Sequence, residues 1–157
     1  MLKFTIIAHT DSDNHIDLDW ARVDTSLFKT VTTPPHGKFN CFIKTRRAGA
    51  LIKHLESNDP ERLELIVYKD GIPNLWNYSH FRAIGGLQEA LEYAYDDAEG
   101  LHKVYVVGGS SLFREAMINY DWPQIEEIKL ITSNFPRVSE RTVDWDICSA
   151  PKVHLHI

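Results

Sequence analysis

The stretch Lys103-Val104-Tyr105-Val106-Val107-Gly108-Gly109-Ser110-Ser111 constrains the fold more than any other part of this chain. Its centre, Val-Tyr-Val-Val, is a short apolar run of β-branched and aromatic residues, the pattern of a strand covered on both faces. From Ser111 to Tyr120 the period changes, and Leu112, Ala116 and Met117 fall on one helical face. Two glycines stand at the change of period, where they let the backbone turn sharply and approach a ligand closely. A strand that passes into a helix in this way leaves the helix's first N–H groups unpaired at the positive end of its dipole, which is a phosphate site. The same doublet also serves as a tight turn kept for packing. From these residues alone both readings stand.

The rest of the chain repeats the alternation. Apolar runs at residues 2–9, 39–43, 63–68, 81–84, 127–132 and 153–157 read as strands. Residues 24–31 read as a short helix with Leu27 and Phe28 turned inward. Residues 46–55 read as a helix with Ala48, Leu51, Ile52 and Leu55 on one face, and residues 87–97 as a third with Leu87, Leu91 and Ala94. Thr32-Thr33-Pro34-Pro35-His36-Gly37 and Lys69-Asp70-Gly71-Ile72-Pro73 break the periodic segments. Strands alternating with helices of about ten residues predict an α/β fold. Its form is a single mostly parallel central sheet with helices on both faces. Ligands of such sheets lie outside the carboxyl ends of the strands. A length of 157 residues fits one domain, residues 1–157.

A net charge of −5 argues against a general nucleic-acid binder, yet leaves room for a small anionic ligand held by a few local cations. Cys41 and Cys148 are too few for a disulfide scaffold and lack metal-ligand spacing, so both are expected as reduced structural thiols. The N-terminal apolar run is too short for a signal peptide, and no segment approaches the roughly 18 apolar residues of a membrane span. A soluble, cytoplasmic protein is expected, with no membrane or nucleic-acid partner, as a monomer or weak homodimer.

Three further features carry chemistry. Arg46-Arg47 opens a predicted helix, where two guanidiniums either hold phosphate oxygens or lie on the surface. Asp24, at a helix start, is either an N-cap or a proton-handling carboxylate. The eight histidines are scattered without metal-ligand spacing, although Asp11 and Asp13 lie near His9 and His15; no metal is expected. No sequence motif of a nucleophilic triad is present.

Taken in order, these pieces resemble dihydrofolate reductase. The most specific stretch is Val106-Val107-Gly108-Gly109-Ser110-Ser111-Leu112-Phe113-Arg114-Glu115-Ala116-Met117, which resembles the family's strand–Gly-Gly–helix cofactor motif. Asp24-Thr25-Ser26-Leu27-Phe28-Lys29 resembles the helix that carries the family's active-site carboxylate and its pterin-packing phenylalanine. Gly37 to Ile43 matches the second strand, and Asp59-Pro60-Glu61-Arg62 the segment whose arginine holds the substrate carboxylate. Ile128 to Thr132 matches the late strand that ends in a pterin-contacting threonine.

The resemblance implies NADPH-dependent hydride transfer to 7,8-dihydrofolate, giving tetrahydrofolate for one-carbon metabolism. Asp24 would promote protonation of the pterin ring. Ala8, Leu27, Phe28, Arg62 and Thr132 would bind a pterin- or folate-like substrate. Arg46, Arg47, Val107, Gly108, Gly109, Ser110, Ser111 and Leu112 would hold NADPH. Three stretches depart from the family. Residues 15–21 are shorter than the family's covering loop and lack its glycine and proline. Lys44-Thr45-Arg46-Arg47-Ala48-Gly49 keeps the basic pair but places Thr45 where the family has a glycine, with its side chain expected to crowd the cofactor. The family's C-terminal hairpin is expected to be partly missing. These departures imply an alternative, a relative repurposed for small-molecule binding or a non-redox cyclisation with NADPH binding lost. A third reading is an interaction protein that uses the sheet edge at residues 153–157.

Overall fold

The computed structural model describes residues 1–17, 20, 26–45, 62–68, 77–78, 81–96, 99–136 and 142–156. In chain order the elements are β1 (Phe4–Thr10), α1 (Ser26–Val31), β2 (Phe39–Thr45), β3 (Arg62–Val67), β4 (Asn77–Tyr78), β5 (Phe81–Ile84), α2 (Leu87–Asp96), β6 (Leu101–Gly108), α3 (Ser110–Asn119), β7 (Ile125–Thr132) and β8 (Lys152–His156). The strands form one sheet in the order β4-β5-β3-β2-β6-β1-β7-β8. Every neighbouring pair among them is parallel except β4 with β5. This is the α/β class expected from the alternation. The helix expected at residues 46–55 and the turn at residues 69–73 lie outside the described residues.

Pairing moves several boundaries away from the apolar runs. β2 continues past Ile43 because Lys44 and Thr45 stay in register with Ile66 and Val67 of β3. β6 starts at Leu101, opposite Phe39, and β7 starts at Ile125, beside Phe4. The two-residue strand β4 was not expected, since so short an antiparallel edge leaves no periodicity to read.

Strand alternation sorts the side chains into two layers. One layer packs Phe4, Ile6 and Ala8 with Cys41, Ile43, Leu65, Val104, Val106 and Ile128 beneath α2 and α3. Those helices bury Leu87, Ala90, Leu91 and Ala94, at the i, i+3, i+4, i+7 spacing of one face, and Leu112, Phe113, Ala116 and Met117, two i, i+4 pairs side by side. The opposite layer gathers Ile7, Trp20, Phe28, Phe42, Tyr105, Val107 and Ile131. The six-residue α1 is too short to hold itself. It is fixed by Phe28 and by Asn40, whose Nδ2 donates to the Thr32 carbonyl at 2.6 Å while its Oδ1 accepts from the Lys103 N–H at 3.1 Å.

The chain direction reverses about the adjacent strands β6 and β1. From β1 the chain moves toward β2 and β3, and from β6 it moves toward β7 and β8. In an open parallel sheet this reversal makes a crevice at the carboxyl ends. Gly108 ends β6 there, and Thr10 ends β1.

Candidate functional site

The β6–α3 turn is built as the sequence implies, with a donor set suited to an anion. Gly108 has φ +131°, a region that L side chains rarely adopt, and the Gly108–Gly109 peptide is cis. A Cβ at Gly108 would meet the Phe113 ring at 3.2 Å, so the residue is glycine for both conformation and space. Gly109 is the N-cap of α3, and among the described residues no side chain caps that helix. The Gly109 N–H itself is used, donating to Thr45 Oγ1 at 3.0 Å. Thr45 therefore ties the end of β2 to the turn. It takes one donor out of the cradle and leaves the N–H groups of Ser110, Ser111 and Leu112 at the helix end without a side-chain cap. That first turn, with its dipole, fits a phosphate by the chemistry of its donors. Val107 and Leu112 are buried beside it, Ser110 is partly exposed and Ser111 exposed.

The α1 side of the sheet holds three of the residues expected around a substrate, Leu27, Phe28 and Arg62. Phe28 is 1% exposed, with Trp20 at 5.1 Å and Phe42 at 5.2 Å between ring centroids, and Leu27 packs at the margin. Beneath these rings lies an ion cluster absent from the sequence reading. Lys44 and Glu64 are both buried, and their charged ends lie 3.2 Å apart. Lys44 Nζ sits 5.1 Å from the Phe28 ring centre. Arg62 donates to Glu64 and stacks its guanidinium 4.9 Å from the Phe42 ring centre. Its side chain is 13% exposed, so much of its charge is directed inward at Glu64.

The other expected contacts are dispersed. Ala8 is fully buried in the α2/α3 layer, on the face of the sheet opposite Phe28. Thr132 is partly exposed at the end of β7, in register with Thr10. Asp24, Arg46 and Arg47 lie outside the described residues. The thiols of Cys41 and Cys148 are free and buried. Burial, and then the charge of Glu64, push the Cys41 thiol well above its ordinary value. Among the described residues no helix is long and apolar enough to cross a membrane.

Two clusters stand at the carboxyl end of β1, and the second escaped the sequence reading. Asp11, Asp13 and His15 converge, but Asp11 Oδ1 already accepts from the Asp13 N–H at 2.9 Å and the His15 N–H at 3.0 Å. That pattern closes the loop after β1. The second cluster joins His9 to Asp17, Nδ1 to Oδ2 at 2.8 Å, and to the Ser133 hydroxyl through Nε2. His9 and Ser133 are 124 residues apart, so no local motif announces them.

No family model and no curated protein matches this sequence. Among solved structures the chain is similar to the Schistosoma mansoni dihydrofolate reductase, with a TM-score of 0.64 at 20% identity over 92% of this chain and 82% of that one. At that identity the likeness is one of fold: this chain has a dihydrofolate-reductase-like α/β fold.

Proposed function

We propose that this protein is a dinucleotide-dependent reductase of the dihydrofolate reductase type, acting on a pterin- or folate-like substrate. The observation that carries the reading is the β6–α3 turn. A positive-φ glycine ends β6 at the reversal point of the sheet and feeds a helix whose first N–H groups have no side-chain cap among the described residues. The likeness to a solved dihydrofolate reductase supports the same reading. Ser110, Ser111 and Leu112 would receive a phosphate group of NADPH, and Arg46 and Arg47 would add charge to it. The bound cofactor would supply the hydride. Asp24 would assist protonation of the substrate ring, and Phe28 with Leu27 would form its apolar wall.

The test is titration of the full chain with NADPH, followed by NADPH oxidation in the presence of dihydrofolate. Saturable binding and a dihydrofolate-dependent rate are expected, with Asp24→Asn lowering the rate by about 100-fold or more. Absence of binding at millimolar NADPH overturns the reading. Gly108→Ala should weaken NADPH binding while the protein stays folded at 25 °C, because the added methyl forces the turn against Phe113.

A second reading rests on the ion cluster. Lys44, Glu64 and Arg62 fill the space beneath Phe28 and engage one another. On this reading the cleft has been rebuilt for a small molecule that receives no hydride. A ligand that protects the α1 region against proteolysis, in a protein that does not bind NADPH, would favour it over the reductase.

A further inference from the structure

The loop after β1 folds back on its own strand. The Asp17 N–H donates to the His9 carbonyl at 2.9 Å, Ile16 bridges Thr10, and the Asp11 carboxylate pins the intervening turn. These bonds fix the Asp17 backbone against the residue whose ring its carboxylate holds. On the other side, the Ser133 N–H donates to the Thr10 carbonyl at 3.1 Å, just beyond the end of β7. That bond holds Ser133 beside β1. Three side chains from three segments are thus placed by backbone bonds rather than by chance contact.

Their order follows that of an activated nucleophile. Asp17 faces Nδ1 of His9, and the Ser133 hydroxyl faces Nε2. With the Nδ1 proton held by the carboxylate, Nε2 presents its lone pair to the Ser133 O–H. The imidazole is the most enclosed of the three groups: the His9 side chain is 8% exposed and that of Asp17 17%, and Ser133 is partly open. Phe135 and Trp20 lie against the imidazole, with ring centroids at 4.9 and 5.8 Å. They keep water from the base and give the approach an apolar wall. The group stands at the carboxyl edge of the parallel strands, where a sheet of this kind receives ligands.

We propose that Ser133, His9 and Asp17 form a nucleophilic site that transfers the acyl group of a small apolar carboxylic ester. Ser133 Oγ attacks the acyl carbon while its proton passes to His9 Nε2. The C–O bond to the alcohol breaks, and His9 returns the proton to the departing oxygen. Water then adds to the acyl-serine with His9 as base, which releases the acid and restores the Ser133 hydroxyl. No oxidant, metal or cofactor enters, so the site operates independently of NADPH.

The test treats the full chain with an alkyl fluorophosphonate and locates the label by peptide mass, beside a rate assay with p-nitrophenyl butyrate. Labelling at Ser133 and a saturable hydrolysis rate are expected. Ser133→Ala should abolish both, and Asp17→Asn should lower the hydrolysis rate by about 10,000-fold, the loss expected of a triad carboxylate. Circular dichroism separates these losses from unfolding. Should either variant unfold, the wild-type label alone decides. A folded wild-type chain that takes no label at Ser133, or hydrolysis that persists in folded Ser133→Ala, overturns the proposal and leaves a purely structural hydrogen-bond chain. Failure of NADPH binding leaves these outcomes unchanged, so the two readings fail separately.

Discussion

Under α2 and α3 the sheet presents Ile6, Ala8, Ile43, Leu65, Val106 and Leu130 to helix faces made of Leu, Ala, Phe and Met. Under α1 the same strands bury Lys44, Glu64, Asn40, Thr5 and His9 among Phe28, Phe42, Trp20 and Tyr105. The contrast concerns what holds each layer. The first is held by close packing, in which any apolar set of matching volume serves. The second depends on charges that are tolerable only while every partner is present. A chain that needed nothing but stability would have no reason to build the second kind.

The sharpest way to break this comparison is to remove the anion that Lys44 and Arg62 share. Glu64→Ala removes the buried carboxylate that both cations engage, and a loss of about 3–5 kcal/mol in denaturant unfolding is expected. Replacing the pair together, Lys44→Met with Glu64→Leu, should instead be neutral or stabilising by about 1–4 kcal/mol. A loss in the double variant as large as in Glu64→Ala would show that the cluster is held for stability after all. On the opposite layer, Leu91→Ala opens a cavity under a fully buried residue and should cost about 2–5 kcal/mol. No second substitution of opposite polarity should rescue it, because packing has no partner to neutralise.

These layers were not equally legible in the sequence. The α2 and α3 faces and the buried strands follow from spacing alone, since Leu87, Leu91 and Ala94, or Leu112, Ala116 and Met117, fall where a 3.6-residue period puts them. Gly108 and Gly109 were legible for a related reason, as a change of period needs a turn. Lys44 and Glu64 were not, because a charged residue within a strand reads as solvent-facing unless the opposite layer is known. Thr45 was expected to crowd the cradle; in the fold it accepts the Gly109 N–H, a contact set by the β2–β6 register. His9, Asp17 and Ser133 meet only through strand order, which places β7 beside β1. Spacing along the chain encodes faces of elements, whereas sites built across elements depend on topology.

A smaller effect sharpens the same contrast at a single oxygen. Thr5 is 1% exposed, and its hydroxyl has no hydrogen-bond partner among the described residues. Thr5→Val keeps the shape and removes a stranded polar group, so stability should rise by about 1 kcal/mol. A fall of that size would mean that the hydroxyl is bonded in solution, through a water or a residue outside the described set.

The gentlest probe uses pH, since each layer carries a group that resists losing its proton. Cys41 lies in the α2/α3 layer and Tyr105 in the other. Burial comes first in raising both, followed for Cys41 by Glu64 and for Tyr105 by Glu127 and then Glu126. The protonated forms are neutral, so the folded chain keeps protons that the unfolded chain releases. Their stabilisation is therefore full below the ordinary values of 9.0 for the thiol and 10.0 for the phenol, and it is lost as pH rises through the folded values. Unfolding midpoints measured from pH 8 to 11 should fall with rising pH. Cys41→Ala should flatten that fall from about pH 9.0 upward and Tyr105→Phe only from about pH 10.0 upward, with Tyr95 and Tyr120 leaving a residual slope because burial raises them too. Equal flattening by both variants across the whole range would mean that the two layers open together before either group ionises. In that case the division between a packed layer and a charged one would not extend to how the protein unfolds.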